Sequence, residues 1–450
     1  MYYQRKDQSS KLTLSNKIRI LNFIKEALSH KGIDLSQGGV INFFDRDGTI
    51  NIKNEKLRDA IQNAKGGNVV AGTLTGKLPE ELNDVLKGFS FLGAAGGGML
   101  YLPSLEKKIP FVIPPEKIKQ VEEIYQEILN EYGIKDDLIQ SMRLQYNSFE
   151  EEMNQGMILL LSQDPIEEKD YLARGTKKER LLEGDQEDRF EKKIVEFTAL
   201  EGGKYGKQIL ETLYERMKQV EGIKMVPPGA FGDRTGKHTG ADITALDKGD
   251  VFNIILEAYE KVIPHFMGNS TNDIPAIRAT WSKDEGIVSM VLPPNLEHAD
   301  TALIAMLANL AKQNNKNFVL VEPGEGEEYG SEYATRILND PSYLGQKLIS
   351  KENLEKIEKY SNYYEQMEKE GKIPQSLLST KEELQEMMDA KKEPMYEIGD
   401  IGSFLGGVSY MQLNQTTKEQ VAQKLQKIAQ RNQELKQAKT KEESEGLEHD

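Results

Sequence analysis

The chain has 450 residues, 38% hydrophobic and 29% charged, with a net charge of −15 and no cysteine. That length exceeds one compact core and predicts two or three domains. The charge disfavours nucleic-acid binding, which needs clustered Lys and Arg, and the lack of thiols excludes disulfides, thiolate catalysis and cysteine-ligated zinc. No run of about 18 apolar residues occurs, so no membrane span is expected. The opening Met-Tyr-Tyr-Gln-Arg-Lys-Asp has no apolar signal core. The expected location is the cytoplasm, with a secreted bacterial effector as the alternative.

A polar lead over residues 1–38 contains a predicted helix from Ile18 to Leu28. Val40 to Phe44 reads as a short buried strand interrupted by Asn42, and Asn68 to Gly72 as a second. Phe91-Leu92 starts a third, running into the glycine-rich Gly93 to Gly98. Strands alternating with helices predict a parallel α/β sheet. After Leu105 the pattern changes. Pro114-Pro115 opens a helix with Ile118, Val121, Tyr125 and Ile128 on one face. Met157 to Leu161 reads as a strand, Gln163 to Lys193 is very polar, and Ile209 to Val220 is an amphipathic helix. Ile223 to Val226 and Ala241 to Leu246 are further strands of an inserted α+β unit. The α/β pattern resumes with a helix over Val251 to Tyr259 and a last strand, Phe318 to Val321. Gly324 to Gly330 reads as a linker, and the remainder as helical and polar. There Thr417 and Gln420 form a capping box ahead of Val421, Leu425, Ile428 and Leu435. The acidic end, Glu442 to Asp450, is expected to be disordered.

Four separated motifs carry chemistry. Asp45 and Asp47, in Phe-Phe-Asp-Arg-Asp-Gly-Thr, stand at the mouth of the first strand. A carboxylate there can attack phosphorus, a second can act as acid and base, and Mg²⁺ can shield the charge between nucleophile and phosphate. An ordinary turn would carry the same string. A calcium EF-hand would not, because Ile50 stands where its loop needs glycine. Thr75-Gly76-Lys77 offers a hydroxyl and backbone N–H groups to phosphate oxygens. It departs from a Walker A loop in spacing and in having Leu78 where Ser or Thr belongs. Gly93 to Gly98 fits either a phosphate cradle or a close-packed strand end. Lys248, at a helix start, can steer phosphate or sit on a solvated surface. Asn272-Asp273 can serve substrate and metal, or simply cap the next helix.

In this order the motifs resemble the haloacid dehalogenase superfamily, specifically its Cof-type branch with a large α/β cap. Asp45 to Thr49 matches the Asp-x-Asp-Gly-Thr element. Thr75-Gly76-Lys77 matches Thr-Gly-Arg with Lys for Arg, and Gly96 to Tyr101 resembles the "Asn-Gly-Ala" strand end. Lys248-Gly249 matches Lys-Gly, and Gly268 to Asp273 matches Gly-Asp-Gly-x-Asn-Asp. The resemblance covers residues 39 to 310 and implies a Rossmann-like core over 39–105 and 236–325. It further implies an α+β cap over 106–235, with a helical extension over 326–450 left unexplained. By resemblance Asp45 is the nucleophile, Asp47 the acid and base, and Lys248 a catalytic and phosphate-binding lysine. Thr75, Gly76 and Asn272 would also bind phosphate. Asp45, Asp47 through its carbonyl, Asn269 and Asp273 would hold Mg²⁺. The family expects Asp where Asn269 stands, so metal affinity should be lower. Asp-Arg-Asp-Gly-Thr-Ile-Asn also resembles the capless histidinol-phosphate and heptose-bisphosphate phosphatases, which use a cysteine-ligated zinc loop that this chain lacks.

The implied function is a Mg²⁺-dependent phosphomonoester hydrolase whose cap selects a phosphorylated small molecule. The alternatives are a catalytically weakened pseudophosphatase, or a protein that engages phosphoproteins through its C-terminal helices. The oligomeric state is open.

Overall fold

The computed structural model describes residues 14–76, 88–111, 113, 115–132, 156–160, 212–225, 240–296, 298, 300–324, 329–390 and 418–446. Lys77, the polar stretch at 163–193 and the last four residues lie outside them. In chain order the strands are β1 (Gly39–Asp45), β2 (Val69–Leu74), β3 (Phe91–Ala94), β4 (Met99–Leu102), β5 (Lys107–Pro110), β6 (Gly156–Leu160), β7 (Lys224–Met225), β8 (Gly240–Thr244), β9 (Val262–Gly268), β10 (Ile287–Val291) and β11 (Asn317–Val321). The helices are α1 (Leu14–Ser29), α2 (Glu55–Asn63), α3 (Pro115–Glu131), α4 (Lys248–Glu257), α5 (Ile274–Trp281), α6 (Thr301–Gln313), α7 (Ser331–Asn339), α8 (Ser342–Leu348), α9 (Lys351–Lys369), α10 (Gln375–Ala390) and α11 (Lys418–Gly446).

The main sheet runs β11-β10-β9-β1-β2-β3-β4-β5. From β11 to β3 every neighbouring pair is parallel, and β4 and β5 extend the edge antiparallel. A second sheet, β6-β8-β7, is antiparallel. The fold is α/β with a parallel-dominant sheet and a helical C-terminal region.

Both faces of the main sheet are covered, which is why β1 and β9 are buried at all seven positions rather than alternating. Successive side chains of β1 enter opposite cores. Ile41 and Phe43 join the layer of α1, α3, α4, α5, α6, α9 and α10, where the Phe43 ring lies 4.6 Å from that of Phe252. Val40 and Phe44 join the other layer, of α2, α7, α8 and α11. Each such fully buried side chain contributes roughly 1.5–3 kcal/mol.

The second layer also holds a polar line across the sheet. Asn42 donates to the Val70 carbonyl at 3.2 Å and meets His265 Nδ1 at 2.9 Å. His265 Nε2 meets Ser289 Oγ at 2.8 Å, which lies 3.2 Å from the Tyr333 hydroxyl. Four buried polar side chains thereby satisfy one another, as burial requires.

Several sequence expectations change. The sheet is not wholly parallel, and β4, β5, β9 and β10 belong to it although none was expected. The segment read as a linker ends in a packed position, where the Gly330 N–H donates to the Thr49 carbonyl at 2.9 Å. Residues 442–446, expected to be disordered, continue α11. α11 is seated on the sheet by Val421, Leu425 and Ile428, and by Asn432, whose carboxamide oxygen accepts from the Asn68 N–H at 3.1 Å. Arg431 pairs with Asp34 at 2.8 Å beside it.

Candidate active site

β1 ends at Asp45 and β9 at Gly268, and the two strands pair in parallel with Phe44 opposite Met267. From β1 the chain continues to β2 on one side, while β9, β10 and β11 lie on the other. Strand order therefore reverses between β1 and β9. In open α/β sheets, ligands bind outside the carboxyl ends of the strands at such a point.

Three charged side chains meet there. Lys248 Nζ donates to Asp45 Oδ1 at 2.7 Å and to Asp273 Oδ1 at 2.9 Å. The side chains of Asp45, Lys248 and Asp273 are only 4%, 4% and 0% exposed, so the charges act in a low-dielectric setting. Lys248 opens α4, whose start is fixed by Asp247. The Asp247 carboxylate accepts from the Asp250 N–H at 2.8 Å, and the Asp250 carboxylate accepts from the Asp247 N–H at 3.1 Å, a reciprocal cap. Gly97 presses against this turn at a φ of +112°, and a Cβ there would lie 2.4 Å from the Leu246 oxygen.

One cation between two carboxylates leaves an excess negative charge. Burial, and then the Asp273 charge, push the Asp45 carboxyl up to about 7 despite Lys248. Burial alone would lower Lys248, but Asp273 and Asp45 outweigh it and raise it above the usual lysine range. The lysine stays charged, and Asp45 is the group whose ionisation responds to further positive charge.

The Asp273 carboxylate is fixed from behind. Its Oδ2 accepts from the Asn269 N–H at 2.9 Å and the Ser270 N–H at 3.1 Å. The Asn269 side chain turns to the opposite loop, where its Oδ1 accepts from Thr49 Oγ1 at 3.1 Å. Gly48 lies beside its Nδ2 at a φ of +81°, leaving no room for a side chain: a Cβ would sit 2.1 Å away. Asp47, between Asp45 and Gly48, has a 64% exposed side chain 3.9 Å from Arg46 Nε. The two acids of the motif thus have different surroundings, one sealed and one facing solvent.

Thr75 follows β2 directly beyond Leu74, the register partner of Asp45, and is buried. Its N–H donates to the Gly93 carbonyl at 2.8 Å and its carbonyl accepts from the Gly96 N–H at 3.0 Å, so its backbone ties β2 to β3. Gly76 is exposed beside it. Lys77 lies outside the described residues. Asn272 accepts from Ser270 Oγ at 2.7 Å and is half-buried.

Among the described residues, no group of three or more His, Cys, Asp and Glu is gathered to hold a metal. Two buried carboxylates and the neutral Asn269 oxygen are nonetheless hard oxygen donors around an uncompensated negative charge. That set fits a cation such as Mg²⁺ and lacks the soft ligands that transition metals prefer.

Sequence reasoning brought Asp45, Lys248, Asn269 and Asp273 together but missed Thr49 as a partner of Asn269, and Gly97 as a support for Lys248. The glycine run from 93 to 98 fits a close-packed strand end as one of its two readings, and Gly97 is packed in that way. Nothing in the sequence pairs Thr49 with a residue 220 positions away.

No protein-family model and no curated protein sequence matches the chain. Solved structures similar to it include a phosphatase of the haloalkanoate (HAD) enzyme superfamily from Bacteroides thetaiotaomicron, 11% identical, with TM-score 0.37, covering 69% of this chain and 96% of that one. Another is an HAD subclass IIB sugar phosphatase, 11% identical, with TM-score 0.34, covering 66% and 97%. A third is the sucrose-phosphatase from Synechocystis in complex with sucrose and phosphate, 16% identical, with TM-score 0.31, covering 61% and 87%.

Proposed function

We propose that the chain is a Mg²⁺-dependent phosphomonoester hydrolase. The observation that carries this reading is the Lys248 ammonium held between the buried Asp45 and Asp273 carboxylates at the switch point of the sheet. Asp45 supplies an oxygen nucleophile at a strand end, and its attack on phosphorus forms an aspartyl phosphate as the ester oxygen departs. Asp47, solvent-facing two residues on, protonates that oxygen and then takes a proton from the water that splits the acyl phosphate. Lys248 holds Asp45 in place and offsets the phosphoryl charge. Thr75, Gly76 and Asn272 line the phosphate position. Bound Mg²⁺, held by Asp45, Asp273, Asn269 and the Asp47 carbonyl, would supply the positive charge that lets nucleophile and phosphate approach. Residues 39–105 and 236–325 would form the catalytic core, with the segment over 106–235 as the cap that chooses among phosphorylated small molecules.

The experiment is turnover of an aryl phosphate with Mg²⁺ by the full chain and by Asp45→Asn. Activity in the first and none in a folded second supports the reading, and equal rates end it.

A second reading rests on Asn269, whose carboxamide oxygen is already engaged by Thr49. A site with so weak a cation ligand can bind a phosphorylated ligand without turning it over. Tight calorimetric binding of a phosphate analogue with Mg²⁺, without hydrolysis of any phosphometabolite, would favour it.

A further inference from the structure

The loop that carries Asp47 has a clamp at its far end, formed by α7. The Gly330 N–H donates to the Thr49 carbonyl at 2.9 Å, and the Asn51 N–H donates to Ser331 Oγ at 2.8 Å. Ser331 is fully buried as the first residue of α7. The helix behind it is anchored twice. It packs on α2, which follows the loop in the chain. It is also tied to the sheet by Tyr333, whose hydroxyl ends the buried line through Ser289, His265 and Asn42. The clamp therefore rests on a rigid element rather than on another loop.

We infer that Ser331 is a positioning residue for the Asp47 loop, so that the C-terminal region is part of the reaction site and not an appendage to it. The reading of Asp47 as acid and base is the one proposed above, whereas the clamp itself is independent of it. Thr49 and Asn51 are both held, and the turn that presents Asp47 is closed by the Arg46 carbonyl, which accepts from the Thr49 N–H at 3.4 Å and the Ile50 N–H at 3.2 Å. Gly48 completes that turn at a φ of +81°, packed beside the Asn269 side chain. An Asn51 N–H without its acceptor would lose one of the two bonds that fix the downstream end.

The test measures amide hydrogen exchange across residues 46–54 in the full-length chain, alongside turnover of an aryl phosphate with Mg²⁺. The wild-type Asn51 amide should be protected although Asn51 itself is only half-buried. In Ser331→Ala, exchange at Asn51 and its neighbours should rise roughly five- to tenfold, with the strands unchanged. kcat should fall with KM little altered, and Ser331→Thr, which restores the hydroxyl, should recover both. Ser331→Val, close in shape to Thr but without an acceptor, should behave as the Ala variant does. A rapidly exchanging wild-type Asn51 amide overturns the inference whether or not any variant folds. So does a folded Ser331→Ala chain with unchanged loop exchange. Absence of turnover in the wild type would count against the hydrolase reading alone, because the exchange result still decides the clamp.

Discussion

Thr49 gives its hydroxyl hydrogen to the Asn269 carboxamide oxygen across 3.1 Å, joining the loop after β1 to the loop after β9 at the mouth of the site. On the reading proposed above, a neutral amide stands where a third carboxylate would serve the cation. Asn269→Asp keeps the acceptor for Thr49 and adds a charge beside Asp45 and Asp273. Mg²⁺ affinity by calorimetry should rise about tenfold, equivalent to ~1.4 kcal/mol. Without metal the variant should melt lower than the wild type, and with saturating Mg²⁺ the gap should close.

Lys248→Met should be severe. It leaves two buried carboxylates facing each other without a cation, a loss of about 3–5 kcal/mol in urea unfolding, and it should abolish turnover. Adding Asp45→Asn removes one of the opposed charges. The double variant should then be more stable than the sum of the two single effects predicts.

Asp247 acts on the same lysine from the backbone. Asp247→Ala removes the reciprocal cap of α4 and the contact to Arg278 Nη2 at 3.4 Å. Stability should drop by about 1 kcal/mol. Turnover should fall by more than that loss alone explains, because the freed residue next in line is Lys248. Thermal unfolding and kcat measured on the same preparation separate the two effects.

Acid stability should report on His265. Burial lowers its pKa from 6.5 to about 3. Between those values the unfolded chain binds the extra proton, so stability falls as the pH drops from about 6.5 towards 3, by up to about 1.4 kcal/mol per pH unit. Asp45, raised by burial and then by Asp273, works in the opposite sense over 3.8 to 7, losing its contribution as pH rises. Comparing wild type with His265→Asn by urea unfolding at several pH values isolates the histidine. The difference in slope should appear below about pH 6.5 and be absent at pH 8.

Strands β1 and β2 and helix α4 were legible because their local signals agree with their tertiary setting. Val40 to Phe44 is an apolar run broken only by Asn42, suited to a strand covered on both faces. Asp45, Lys248 and Asp273 stood beside recognisable turns. The buried strands β9 and β10 were less visible because His265 and Ser289 break their apolar runs. Those residues are tolerated only because they bond one another and Asn42, a relation between strands that no local window contains. Ser331 was illegible for the same reason. Its partner is an N–H in a loop 280 residues earlier, and a serine at a helix start ordinarily caps its own helix. The stripe of Val421, Leu425, Ile428 and Leu435 was clear, but periodicity does not say which surface a stripe will cover.

Asn432 reaches back to Asn68 across 364 residues of chain. During synthesis at roughly 5–20 residues per second, β2 would wait on the order of 20–70 seconds for the helix that closes over its base. Until then the layer that holds α2, α7 and α8 lacks its last helix, and the apolar surface that Val421, Leu425 and Ile428 cover stays open to solvent or to chaperones. Truncations that remove α11 should therefore harm yield far more than their distance from the chemistry suggests.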